Sequence, residues 1–198
     1  MLNVLCYKSA QKMQVGSSER MIIMEFKACT QRLRKGILVQ PYVANVFQWQ
    51  VTLMPHAGFF QDRILTFVIQ FKNFPASVPK VIFQPGTMHP MIDPSTNQFD
   101  CSEMFSEWNV SVRVYTLINF IYDSFIEISI PSNHSVPDLE SASLLKQGGN
   151  AFQNRALKSL HHPPDPSEKS ELNIPKRWGN QKERIAHVLV ANIKNSEF

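Results

Sequence analysis

The amino-acid sequence predicts an α+β fold: a four-stranded antiparallel meander with flanking helices and a helical C-terminal extension. Three observations lead there. Residues 19–34 space apolar side chains as a helix does, residues 37–85 break into short β-rich runs divided by turn residues, and residues 111–128 return to helical spacing. Strands that succeed one another through short connections pair antiparallel, because a parallel pair needs a long crossover.

The first helix is expected over "ERMIIMEFKACTQRLR", with Ile22, Ile23, Phe26, Cys29, Thr30 and Leu33 on its apolar side and Gly36 ending it. Cys29 then reads as a small buried hydrophobe. The runs that follow are "GILVQPYV", "VFQWQVTLMP", "HAGFFQDR", "ILTFVIQF", "KNFPASVP" and "KVIFQP". Alternation is clearest at Phe47, Trp49, Val51 and Leu53 and at Leu65, Phe67, Ile69 and Phe71, which gives the sheet an apolar face for helices to cover. Trp49 and these phenylalanines are core side chains on that reading.

After Pro85 periodicity disappears for about twenty residues rich in Pro, Asp, Ser, Thr and Asn. The second helix resumes through Val114, Leu117, Ile118, Ile121 and Phe125, with Ser111 or Asn109 as candidate cap. Beyond Pro131 and Pro137, "DLESASLLKQGGNAFQNRALKSL" reads as helix divided near Gly148-Gly149. A Pro-rich connection leads to a short final helix bearing Ile185, Val188, Leu189 and Ile193. The domain organisation expected is a lead-in over residues 1–18, whose order the sequence leaves open, a core over 19–130 and a helical extension over 131–198.

Composition narrows the function classes. Hydrophobic residues are 43% and charged residues 18% of 198, the balance of a folded globular chain. Neither a signal peptide nor a membrane-spanning run is evident, so a protein of the cytosol or nucleus is expected, cytoplasmic as the first choice. Cys6, Cys29 and Cys101 lack paired spacing, which argues against a disulfide framework or a zinc site. His56, His134 and the His161-His162 pair have no thiol nearby and read as surface residues; no metal and no cofactor is expected. The net charge of +4 is uneven: residues 1–35 hold seven Lys/Arg against Glu19 and Glu25, and residues 36–130 hold four against seven acids. The basic part is a solvated helix face by default, with an acidic partner or membrane lipid as the alternative. Nothing indicates nucleic acid, because basic and aromatic residues do not interleave.

Residues 89–108, "HPMIDPSTNQFDCSEMFSEW", pose the functional question, since they hold a cysteine close to acids and downstream of a His-Pro turn. A nucleophilic thiolate needs a lowered pKa or an adjacent base. Asp100 and Glu103 would do the opposite, and no His, Lys or Arg lies within eight residues of Cys101.

From residue 19 to about 127, the order of elements resembles the ubiquitin-conjugating enzyme family. "FQWQVTLMP", the "FPASVPKVIFQP" strand entry, the "HPMID" turn and Trp108 before the second helix carry the likeness. The family's members hold ubiquitin as a thioester on a cysteine shortly after His-Pro-Asn. Laid on that pattern, Asp100 occupies the cysteine position, Cys101 is displaced by one, and Met91 replaces the asparagine implied to steady the oxyanion. A one-residue displacement in an extended segment turns the side chain to the opposite face. The Ser-Pro-Ala loop that engages ligases is Asn109-Val110-Ser111 here, and His89 reads as a turn residue bonded to backbone. No catalytic residue is therefore expected, and the degenerate site comprises His89, Met91, Asp100 and Cys101.

Within that family "GILVQP", "GFFQDRILTFVIQFK" and "HPMIDPSTNQFD" resemble the fused-toes or AKT-interacting-protein group, to which the crossbronx proteins belong. The later "DPSEKSELNIPKRWGNQKERI" is similar to that group's C-terminal segment; Arg63 in place of glycine and a shorter, more basic end depart from it. The resemblance implies an inactive adaptor in vesicle trafficking with Hook-type partners, vesicle-associated through them, and with apoptosis signalling as a further association. The binding surface expected is residues 138–193. Two alternatives stand beside it: a ubiquitin-binding variant that assists an active conjugating enzyme, and an active enzyme that uses Cys101.

Overall fold

The structure, a computed structural model, describes residues 17–42, 45–102, 104–109, 111–130 and 136–161. The lead-in to residue 16, Glu103, His134, His162 and the expected final helix lie outside the described residues.

Helix α1 spans Ser17–Arg32. Ile22 and Cys29 are fully buried and Phe26 and Leu33 are partly so, one stripe at 3.6-residue spacing. Ile23 and Thr30, expected on the same side, face solvent, and Ile23 is 53% exposed. Their flank of the stripe is open, whereas the opposite flank, which carries Glu25, is covered. The chain leaves α1 through Gly36, whose φ of +87° and whose closeness to the Met54 carbonyl (2.6 Å from where a Cβ would stand) admit no side chain.

Strands β1 (Ile37–Tyr42), β2 (Asn45–Leu53), β3 (Leu65–Gln70) and β4 (Lys80–Phe83) form one antiparallel sheet in chain order. Register aligns Val39 with Val51, Val51 with Phe67 and Phe67 with Phe83, so alternate residues of all four strands face one core. Trp49 lies fully inside it, edge-on to Phe26 and Phe71, with its indole N–H donated to the Val46 carbonyl at 2.9 Å. "HAGFFQDR" forms turns, not strand. Gly58 sits there at φ +80° against the Phe125 and Ile126 carbonyls, and Phe60 drops into the core beside Phe125.

Helix α2 (Val114–Ile126) covers the core with Leu117, Ile118, Ile121 and Phe125, all fully buried. Neither Ser111 nor Asn109 caps it. Asn109 Oδ1 accepts from the Ser111 N–H in a local turn, and the helix starts after Arg113, which offers no side-chain cap. The cap comes from α1: Glu25 Oε2 accepts the Val114 N–H at 2.9 Å, and Oε1 accepts from Arg113 Nε at 2.7 Å. A carboxylate at a helix N-terminus meets the positive end of the helix dipole and an otherwise orphaned N–H.

Helices α3 (Leu139–Gln147) and α4 (Gly149–His161) are divided at Gly148, φ +141°. Asp138 caps α3 by accepting from the Ser141 N–H and hydroxyl. Packing continues across the expected boundary at residue 130. Phe152 of α4 is fully buried against Phe59 and Phe60, Gly149 leaves no room for a Cβ against the Phe59 ring, and the Asp138 N–H donates to the Pro90 carbonyl at 3.1 Å. Residues 138–161 thus pack on the core and do not extend from it.

Glu25→Ala leaves Arg113 without its partner and Val114 without its cap, and is expected to lower unfolding stability by about 2–3 kcal/mol. Urea denaturation of the variant beside the parent, with Lys27→Ala as surface control, measures this.

Candidate functional site

Between β4 and α2 the chain folds around one histidine. His89 is fully buried, between Phe125 (ring centroids 4.7 Å apart) and Phe99 (5.6 Å). Its Nδ1 accepts the Met91 N–H at 3.1 Å, and Nε2 faces the Ser124 carbonyl at 3.1 Å. An N–H can only donate and a carbonyl can only accept, so the ring is the neutral tautomer with its proton on Nε2. Burial pushes its pKa down to about 4, against the Ser124 carbonyl, which favours the charged form. With both nitrogens committed to backbone, the ring has no lone pair left for a substrate.

The turn continues through Ile92, whose N–H donates to the His89 carbonyl, to a hairpin tip closed by Asp93. The Asp93 carboxylate accepts from the Ser95 N–H, the Ser95 hydroxyl and the Thr96 hydroxyl, and these bonds hold its pKa below the usual range. Asn97 takes the left-handed conformation at φ +56°, and the chain then returns along β4 with Gln98 opposite Ile82.

Here side chains alternate. Phe99 is buried, Asp100 is half-buried and Cys101 is only 6% exposed. The Asp100 N–H donates to the Met91 carbonyl at 2.7 Å, and its carboxylate Oδ1 accepts the Ser102 N–H at 2.9 Å. His89, Met91, Asp100 and Cys101 therefore form one patch through backbone bonds, with Asp100 on its outer side. Burial pushes the Cys101 thiol up to about 11, and the Asp100 carboxylate adds to the rise. Met91 is 7% exposed, and its thioether donates no hydrogen bond.

Below the patch, Phe105 is buried against Trp108 and Phe120, and Trp108 meets Phe74. Trp108 Nε1 has no hydrogen-bond partner among the described residues. Of the other expected features, Cys29 is buried with its thiol pushed up to about 12, and His56 is exposed with Nδ1 2.9 Å from the Tyr122 hydroxyl. Among the described residues no group of three His, Cys, Asp or Glu could hold a metal ion, and no helix is long and apolar enough to cross a membrane. Sequence reasoning missed the Ser124 carbonyl, which orients His89, and the tie from Asp138 to Pro90. Both are backbone contacts and leave no residue-type signal.

The four-stranded antiparallel sheet with its helices and the His-Pro turn leading to the cysteine segment define a ubiquitin-conjugating-type fold. The family model described as ubiquitin-conjugating enzyme matches residues 21–160, and the chain belongs to that family. Within it the chain is similar to crossbronx proteins. It is 28% identical over 170 residues to that of Drosophila mojavensis, spanning 80% of this chain and 69% of that protein. It is 36% identical over 150 residues to that of Drosophila ananassae, spanning 72% and 62%. Among solved structures, one described as a novel ubiquitin-conjugating enzyme aligns with a TM-score of 0.62 at 18% identity, over 72% of this chain and 94% of that one. The H. polymorpha ubiquitin conjugating enzyme Pex4p, solved with the soluble domain of Pex22p, aligns with a TM-score of 0.61 at 18% identity, over 74% and 97%.

His89 makes stability pH-dependent. Its folded pKa, about 4, lies below the ordinary 6.5, so the unfolded chain binds the extra proton between those values. The contribution is fully present above about pH 6.5 and is lost as pH falls towards 4, an effect of about 3 kcal/mol. Urea midpoints measured from pH 7 to 4.5 should fall for the parent and fall less steeply for His89→Gln.

Proposed function

We propose that this chain is a ubiquitin-conjugating-type domain without conjugating activity, which serves as a protein-interaction adaptor. The observation that carries this reading is the pairing of a carboxylate, Asp100, on the outer side of the patch with a thiol, Cys101, turned inward and held protonated at neutral pH by burial. Acyl transfer to a thiol needs the thiolate at the surface and a donor for the oxyanion. Cys101 lacks the exposure, Met91 lacks the donor, and His89 has both nitrogens occupied. A fold that gives up its nucleophile keeps its surfaces, and those surfaces are what an adaptor uses.

The resemblance to the fused-toes or AKT-interacting-protein group gives the adaptor reading its partner class: Hook-type proteins in vesicle trafficking. Within residues 138–193, the surface expected to meet partners, this reading assigns partner contact chiefly to the segment beyond α4.

Two experiments test this. Incubated with ubiquitin-activating enzyme, ATP and ubiquitin, the chain should give no reductant-sensitive adduct on non-reducing gels, and Cys101→Ser should match it. An adduct lost in Cys101→Ser would establish an active enzyme. In the second, deletion of residues 162–198 should abolish capture of a Hook-type partner while preserving the melting temperature of the remaining domain; retained capture would remove that segment from the proposal.

A further inference from the structure

On α1 the side turned away from the core carries Arg20, Ile23, Met24 and Lys27, spaced i, i+3, i+4 and i+7 so that they form a single ridge. Ile23 is 53% and Met24 66% exposed, and both basic residues are exposed. Two neighbouring apolar side chains projecting from a helix, with a positive charge at each end, form an unpartnered amphipathic surface. Among the described residues none of the same copy covers the ridge.

A surface of opposite sign lies elsewhere on the chain. The described residues of the segment 90–112 include Asp93, Asp100 and Glu107 and no Lys, Arg or His. Within this segment Met104 is 57% exposed, with Ser102, Ser106 and Glu107 exposed around it and Asp100 half-buried beside it. Next to Met104 in the chain, Phe105 is buried and packs edge-on against Trp108. The two surfaces correspond in character: an apolar protrusion among basic groups, and another among acidic ones. An anionic bilayer is the weaker occupant for the ridge, since polybasic lipid-binding segments carry about 4–8 Lys/Arg and this ridge offers Arg20 and Lys27.

We propose that the α1 ridge docks on the acidic face around Met104 of a second copy of this chain, so that copies associate head to tail. The two contacting patches differ, which makes the interface heterologous; each pair of copies retains one free ridge and one free acidic face. Opposite charges steer the encounter and fix the pairing, and Ile23, Met24 and Met104 supply the apolar contact. The association weakens as salt shortens the screening length. It does not depend on whether the site is catalytically silent.

Sedimentation velocity of the full chain, over a wide concentration range at low and high salt, tests the proposal. The weight-average sedimentation coefficient should rise with concentration at low salt and return towards the monomer value at high salt. Arg20→Glu with Lys27→Glu, and separately Ser106→Lys with Glu107→Lys, should each weaken self-association about tenfold or more. All four positions are exposed, and circular dichroism checks that both variants fold. Mixed one to one, the two variants should associate again, because each supplies the surface that complements the other's altered one. A monomer under all conditions, variants that self-associate like the parent, or no recovery on mixing would overturn the proposal. So would loss of binding to phosphatidylserine vesicles on reversing the α1 charges, with self-association unchanged.

Discussion

The buried imidazole of His89 holds the site together. It is a polar side chain sealed between Phe99 and Phe125, and it joins two backbone segments that belong to different parts of the chain. One is the Met91 N–H in the turn after β4; the other is the Ser124 carbonyl near the end of α2. A buried polar group must find partners or pay in stability, so the ring cannot turn without stranding both backbone groups. The Met91 carbonyl in turn fixes Asp100, and the alternation from Asp100 sets Cys101 inward. In this fold the histidine works as a structural clasp, and close to it in the patch stand the Asp100 carboxylate, the Met91 thioether and the buried Cys101 thiol.

The second organising contact is the carboxylate of Glu25. In sequence it is one acid on an amphipathic helix, and helical periodicity assigns acids to solvent. It is only 8% exposed because it caps a different helix, α2, and pairs with Arg113. This explains why the local cap candidates Ser111 and Asn109 are unused. It also explains why α1 turns its Glu25 flank inward and leaves Ile23 exposed. Periodicity locates a stripe; which flank of the stripe is covered depends on the neighbouring helix.

Much of the candidate site was legible before the structure. The residue types at positions 89, 91, 100 and 101 are read straight from the chain, and a period of two along an extended segment separates Asp100 and Cys101 onto opposite faces. The depth of Cys101 was not legible, because it depends on the packing around this segment and on how closely the return strand lies against β4. The division at residue 130 rested on Pro131 and Pro137, which mark a change of local conformation; Phe152 and Gly149 nonetheless carry the core through to α4.

By itself the sequence determined the alternation of strands, the meander order, helices α1 to α4 and the identity of the side chains at the candidate site. These depend on local periodicity and residue chemistry, which neighbours in the chain define. Only the tertiary structure decided the capping of α2 by α1, the proton position on His89 and the docking of α3 and α4. Each of these is a contact between segments far apart in the chain, often to a backbone group that every residue possesses, and so no residue type announces it.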